Sequence, residues 1–290
     1  MFDNIFAAIE KWMRELLTGM VESNMSTMFT DVNEKTSEIA AQVGRTPQNW
    51  NSSVFSMIQN LSESVVVPIA GIIITLVLCY ELISMLTERN NLHDVDTWMF
   101  FKYFVKAWVA IYLVSNTFTI TMAVFDVGQS VVNSASGIIN GETAIDVSSL
   151  SMQMQAAMAT MEIGELVVLA LETFLVSFCM KIMSVVITVI VYGRMIEIYL
   201  YTSLAPIPFA TMSNREWGHV GTNYFRGLFA LAFQAFLMMV CVAIYAALIS
   251  SVRISSNMHS ALIGVAAYTV ILCFSLMKTG SLSKQIFGRH

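Results

Sequence analysis

Residues 166–212 read LVVLALETFLVSFCMKIMSVVITVIVYGRMIEIYLYTSLAPIPFATM, 47 residues in which only Glu172, Lys181, Arg194 and Glu197 carry charge. At 1.5 Å per residue this stretch would be about 70 Å long as one helix, more than twice the roughly 30 Å of bilayer hydrocarbon. It is therefore too long for one simple crossing. Two readings remain open: two spans turning near Gly193-Arg194, or one span to about Tyr192 followed by an interfacial or re-entrant piece around Leu204-Ala205-Pro206-Ile207-Pro208. Pro206 and Pro208 remove backbone donors and favour extended geometry in the residue before each ring, so an ordinary helix should break there.

The rest of the chain has the same character. Of 290 residues, 56% are hydrophobic and 12% charged, and the mean hydropathy is +0.68. Water-soluble domains carry about twice that share of charge, so part of this protein's solvent must be lipid. Apolar runs at Val65–Leu86, Trp98–Val124, Leu166–Tyr192, Phe225–Ile249 and Ala261–Met277 each approach the length of about 20 residues that a crossing helix needs. The expected fold is an all-α polytopic membrane protein with about five transmembrane helices. It divides into an N-terminal region, residues 1–64, and a transmembrane domain, residues 65–290.

Charge placement orients it. Between Phe125 and Glu165 there is no Lys or Arg but five acids, Asp126, Glu142, Asp146, Glu162 and Glu165. The positive-inside rule makes this loop, 125–165, extracytoplasmic. Counting five spans outward from it places Arg89, Lys102, Lys106, Arg194, Arg215, Arg226, Lys278, Lys284 and Arg289 on or near the cytoplasmic side, nine of fifteen basic residues. A sixth span at Ile196–Met212 would put Arg215, Arg226 and the C-terminal basic residues outside. Five spans, N-out and C-in, with the proline-broken segment at the cytoplasmic side, is the better account.

The first turns form an amphipathic helix. At about 100° per residue, Ile5, Phe6, Ile9, Trp12, Met13, Leu16, Leu17 and Met20 gather in an arc of about 140°, with Glu10, Lys11, Arg14 and Glu15 outside it. Such a helix either lies in the membrane interface or packs on a partner subunit. The polar stretch that follows, to about Asn60, reads as short helices on the outer face. Met152, Met154, Met158 and Met161 crowd the outer loop as a soft apolar surface, for a partner or for the membrane.

Catalytic patterns are missing from the sequence. There is no GxxxxGK[ST] phosphate loop, HExxH or GxSxG, and His93, His219, His259 and His290 are widely separated. Cys79, Cys179, Cys241 and Cys273 all fall in apolar runs without CxxC spacing. These features point to no enzyme, no metal and no cofactor, and a net charge of -5 argues against direct grip on DNA.

The informative residues are polar ones inside spans, since an ionisable group in hydrocarbon costs at least about 2.5 kcal/mol unless paired or hydrated. Lys181 and Glu172 are nine residues apart, half a turn net, and point to opposite faces, so they cannot pair on one helix. They are candidate pore or subunit-interface charges, or an ion pair between Lys181 and Glu172 of a neighbouring copy. Glu81 lies about 7 Å from the inner end of its span and Lys102 about 6 Å from the same end of the next, so a structural Glu81-Lys102 or Glu81-Lys106 bridge is expected. Asn116 and Gln234 read as interhelical hydrogen-bonding groups.

One set of residues carries a resemblance. Arg194-Met195-Ile196-Glu197-Ile198-Tyr199, Ala205-Pro206-Ile207-Pro208-Phe209-Ala210-Thr211, Asn214-Arg215-Glu216-Trp217-Gly218, Asn223-Tyr224 and Phe233-Gln234 resemble the TrbL-like polytopic membrane subunits of type IV secretion (conjugation) systems, in the form carried by conjugative elements of Gram-positive bacteria. The likeness runs from about Ser64 to Ile286-Phe287-Gly288. It implies an oligomeric plasma-membrane core component that helps form the translocation path for a DNA-protein substrate. The implied partners are other copies of the chain, other secretion membrane subunits, separate ATPases, membrane lipid and the transient substrate. The rival reading is a secondary transporter or ion channel using Lys181 and Glu172, with the Pro206-Pro208 break as a site. Against it, no inverted repeat is evident and five spans do not divide into equal halves.

Reporter fusions should place residues 1–60 and 126–164 outside the cytoplasm and residues 87–97, 194–224 and 278–290 inside. An extracytoplasmic C-terminus would refute the five-span count.

Overall fold

The computed structural model describes residues 2–87, 97–139, 147–251 and 258–288, and every regular element among them is helical. Arg89, His93, Glu142, Asp146, Arg253, Arg289 and His290, which entered the charge and motif arguments, lie outside the described residues. Five helical stretches are long and apolar enough to cross a membrane: Ser52–Thr87, Thr97–Ser115, Ile163–Ser203, Gly218–Ser250 and Met258–Ile286. The chain is an all-α, multi-pass membrane protein. Its helices sort into two compact units. Unit 1 holds residues 1–43, 134–191 and 238–278, and unit 2 holds residues 44–133, 192–237 and 279–290. This division cuts across the sequence-based one, in which residues 1–64 stood alone.

In unit 1, helix α1 runs unbroken from Phe2 to Val43, well past the amphipathic first turns. No proline interrupts it before Pro47, and Gly44 follows its end, where a residue without Cβ ends a helix at least cost. Along α1, Val21, Met25, Met28, Phe29, Val32 and Ile39 are buried. This buried stripe explains why a stretch that reads as polar forms a helix packed in the unit instead of short outer-face pieces. Helix α7 (Val147–Ala159) packs on α1 and buries Met154 and Met158 while Met152 stays exposed. The methionine-rich stretch is thus half core.

In unit 2, Thr46 caps α2 (Pro47–Trp50) by accepting from the Asn49 amide, with Pro47 at the first helical position. Asn51 then caps α3 (Ser52–Leu61) through the Val54 amide at 3.0 Å. A π turn at Ser62–Val66 leads into α4 (Val67–Thr87). It sits immediately before Pro68, where a ring in a regular α-helix would meet the carbonyl four residues back. Helices α5 (Thr97–Ser115) and α6 (Thr117–Ile139) are separated at Asn116, and α6 carries helix through Phe125–Ile139, part of what the sequence presents as loop 125–165.

Helix α8 runs from Ile163 through Gly193-Arg194 to Ser203, about 60 Å. The break comes at Leu204-Ala205, and α9 (Pro206–Thr211) follows. Ala205 is in the right-handed helical region, φ -52° and ψ -38°, so the expected extended geometry ahead of Pro206 is absent. Pro206 and Pro208 both fall in the first turn of α9, where backbone N–H groups lack intrahelical acceptors anyway, so the rings cost no bond there. Helix α9 packs against α4 and α5. Phe209 and Ala210 share a core with Ala70, Ile74, Leu78, Ala110 and Val114.

At the end of α8, the Tyr199 hydroxyl donates to the Pro47 carbonyl at 2.6 Å, and the Trp50 ring packs on Tyr192 and Tyr199. Charge counting assigns residues 1–60 and 194–224 to opposite faces, whereas this contact joins the two segments at one depth. Such a count takes each apolar run as a single crossing, and α8 is about twice that length.

In α10 (Gly218–Ser250), Gly221 lies where a Cβ would come 2.5 Å from the Pro208 carbonyl oxygen. Gly221→Ala should therefore destabilise the detergent-solubilised protein by about 1–3 kcal/mol, the usual overpacking range, read as a lowered thermal midpoint. Gly71→Ala, where nothing lies within 4 Å, should leave the midpoint unchanged or slightly higher.

Candidate functional site

The densest polar construction in unit 2 is built on Glu81 of α4, which is buried. Its carboxylate accepts from the Lys106 amine of α5 and from the Asn214 amide nitrogen at 3.4 Å. Lys102, the alternative partner, instead holds its amine 5.5 Å from the centre of the Trp98 ring, a cation–π contact. Asn214 is buried and organises the turn after α9. Its Oδ1 accepts from the backbone N–H groups of Glu216 at 2.7 Å and Trp217 at 3.0 Å. Glu216 accepts from the Tyr80 hydroxyl at 3.0 Å, and the Trp217 ring stacks on Tyr80. Arg215 is exposed. Gly218 starts α10 where a Cβ would sit 3.2 Å from the Met212 carbonyl oxygen. Two loop-end residues and one short helix are thereby locked to the α4–α5 pair.

Other polar groups of unit 2 tie helices directly. Glu197 pairs with Lys284 of α11 (Met258–Ile286) at 3.0 Å. Arg194 is buried; it donates to the Leu231 carbonyl at 3.4 Å, and its Nε finds no partner among the described residues. Gln234 donates to Thr279 at 3.4 Å, joining α10 to α11. Asn116 does otherwise: its amide donates to the Tyr112 carbonyl at 2.9 Å, four residues back on its own chain segment. It serves the α5–α6 junction and not another helix, because a short amide can bond the preceding turn without leaving it. A cleft of about 730 Å³ opens beside α9, with Tyr201, Leu204, Pro208, Val220 and Tyr224 among its walls. It is mostly apolar and holds no nucleophile–base pair.

Unit 1 contains the two charges of α8 singled out from the sequence. Glu172 pairs with His259 at the start of α11, a partner that sequence reasoning missed because His259 lies ahead of the apolar run that marks the fifth span. Lys181 is exposed near the middle of α8 and has no partner among the described residues. The structure keeps Glu172 and Lys181 apart.

No group of three or more His, Cys, Asp or Glu side chains placed to hold a metal ion exists among the described residues. The fold and these sites define a polytopic membrane protein whose polar side chains join helices. The chain matches the family described as TrbL/VirB6 plasmid conjugal transfer like protein over residues 32–206, more than half its length, and it belongs to that family. It is thereby a conjugal transfer system component. No curated protein and no solved structure matches the chain at a significant level. The family match starts inside the N-terminal stretch that the sequence resemblance left aside and stops at Pro206, so Asn214 and its turn lie beyond it.

Removing one partner of a buried ion pair leaves an uncompensated charge. Lys106→Met should cost about 3 kcal/mol, the lower end of that range because the lysine side chain is 36% exposed, read as loss of thermal stability in detergent. Adding Glu81→Leu should recover most of the loss, since the stranded carboxylate is then gone.

Proposed function

We propose that this chain is a plasma-membrane subunit of a type IV secretion apparatus and that it helps form the path by which a DNA-protein substrate crosses the membrane. The observation that carries this reading is the family match over residues 32–206. It is joined by a run of polar groups along apolar helices, Arg194 and Lys181 among them, that has a use in a protein built around a hydrated route. The work of transfer would come from separate ATPases, and this chain would contribute helices and their contacts with other membrane subunits. The acidic charge balance supports a passive wall more than a grip on phosphate, because a binding groove for DNA needs clustered Lys and Arg.

Deleting the coding sequence in the native host should abolish conjugative transfer while growth and ordinary solute uptake stay at parental levels, and expression in trans should restore transfer. Normal conjugation in the deletion strain, together with ion or solute flux by the purified protein in liposomes sensitive to Glu172 and Lys181, would replace this reading with that of a transporter.

A further inference from the structure

Between α8 and α10, with Pro208 of α9 at its base, unit 2 holds the cleft of about 730 Å³. That is the size at which proteins enclose small organic molecules, whose sites combine apolar walls with a few convergent polar groups. On the α8 side Glu197, Leu200, Tyr201 and Leu204 recur three and four residues apart, one face of the helix and its continuation. On the α10 side His219, Val220, Asn223 and Tyr224 repeat the pattern. Leu200, Leu204 and Val220 are exposed although large and apolar.

The middle of the cleft is rigid. The rings of Tyr201 and Tyr224 stack with centroids 4.3 Å apart and planes inclined by only 6°. The Tyr201 hydroxyl donates to the Tyr224 carbonyl at 3.0 Å, and the Tyr224 hydroxyl donates to the Tyr201 carbonyl at 2.6 Å. Both hydroxyl hydrogens are thereby committed, so the pair offers a bound molecule ring carbon and no phenolic donor.

The polar groups toward the two ends are acceptors. The Glu197 side chain is partly exposed and its Oε1 accepts from Lys284 at 3.0 Å, which leaves Oε2 for a second donor. His219 Nδ1 lies 2.9 Å from the Glu216 carbonyl oxygen. A carbonyl oxygen only accepts, so Nδ1 carries the hydrogen and Nε2 of the neutral ring presents a lone pair. Among the described residues that line the cleft there is one carboxylate and no Lys or Arg.

A carboxylate and a bare imidazole nitrogen beside aromatic and aliphatic walls repel an anion and suit a cationic donor. From Glu197 to Leu204 is about 10 Å along the helix, the length of a phenyl ring on a four-carbon chain. We propose that this cleft binds a hydrophobic amine, its ammonium on Glu197 Oε2 and its apolar body along the tyrosine pair toward Leu204 and Pro208. The site rests on the geometry of unit 2 alone and is independent of the conjugal role proposed above.

The probes are phenylbutylamine, phenylbutanol and phenylbutyrate, one body with a cationic, a neutral and an anionic head. Added to the full-length protein in detergent, a bound probe raises the thermal midpoint in a saturable way. The amine should bind about tenfold more tightly than the alcohol, the worth of one hydrogen bond to a charged group, and the acid should give no shift. Glu197→Gln should reduce the amine to the alcohol's affinity while the alcohol keeps its own, a sign that the cleft is intact. Leu204→Trp, which fills the cleft from an exposed position, should abolish both. Equal affinity of amine and alcohol in the unmodified protein would mean an apolar slot open to any hydrocarbon, and a preference for the acid would mean an anion site; either result overturns the proposal. So would amine binding that survives Leu204→Trp, or the lack of a shift with every probe.

Discussion

A carboxylate placed inside a membrane-spanning helix must be met by protein, and Glu81 is where unit 2 meets that demand. Lys106 supplies the charge from α5 and Asn214 supplies a donor from the turn after α9. Asn214 can do so only because its other amide atom is already committed to the Glu216 and Trp217 N–H groups. One buried acid therefore fixes two helices and a turn relative to each other. The Tyr80–Trp217 stack and the Tyr80–Glu216 bond lie alongside as a rim.

The same demand governs the backbone. Between Ser203 and Gly218 the chain leaves regular helix, turns, makes six residues of α9 and turns again. Backbone that is not continuously helical survives at membrane depth only when covered by protein. Here α9 is covered by α4 and α5, with Phe209 and Ala210 in the core they share. Prolines at the first and third positions of α9 fit because the first turn of a helix has donors to spare. The close approach of Gly221 to Pro208 lets α10 begin directly against this segment.

Membership of the conjugal transfer family suits a molecule in which polar side chains act as joints. Glu172 with His259, Glu197 with Lys284 and Gln234 with Thr279 each tie two helices. Lys181 has no such partner among the described residues.

Much of this was legible in the residues. Low charge, five apolar runs and the absence of catalytic spacing fixed an all-helical, multi-pass protein, because helix length against bilayer thickness is a one-dimensional matter. Depth counting narrowed the partner of Glu81 to two lysines, since both sit near the matching end of the next helix. The family was legible too, though the matched region begins earlier and ends sooner than the motifs suggested.

What the sequence could not decide depends on which faces meet. Lys106 prevails over Lys102 because of the rotation of α5, and Lys102 turns to Trp98. His259 reaches Glu172 from outside any apolar run. A polar stretch in α1 becomes a long helix because Val21 to Ile39 find a buried stripe, which no local pattern announces when the opposite face is serine and threonine. The helical conformation of Ala205 ahead of Pro206 likewise follows from the packing of α9, since tertiary contacts outweigh a local preference. Periodicity and charge give each helix its length and faces; the pairing of faces is a property of three-dimensional packing, and only the tertiary structure settles it.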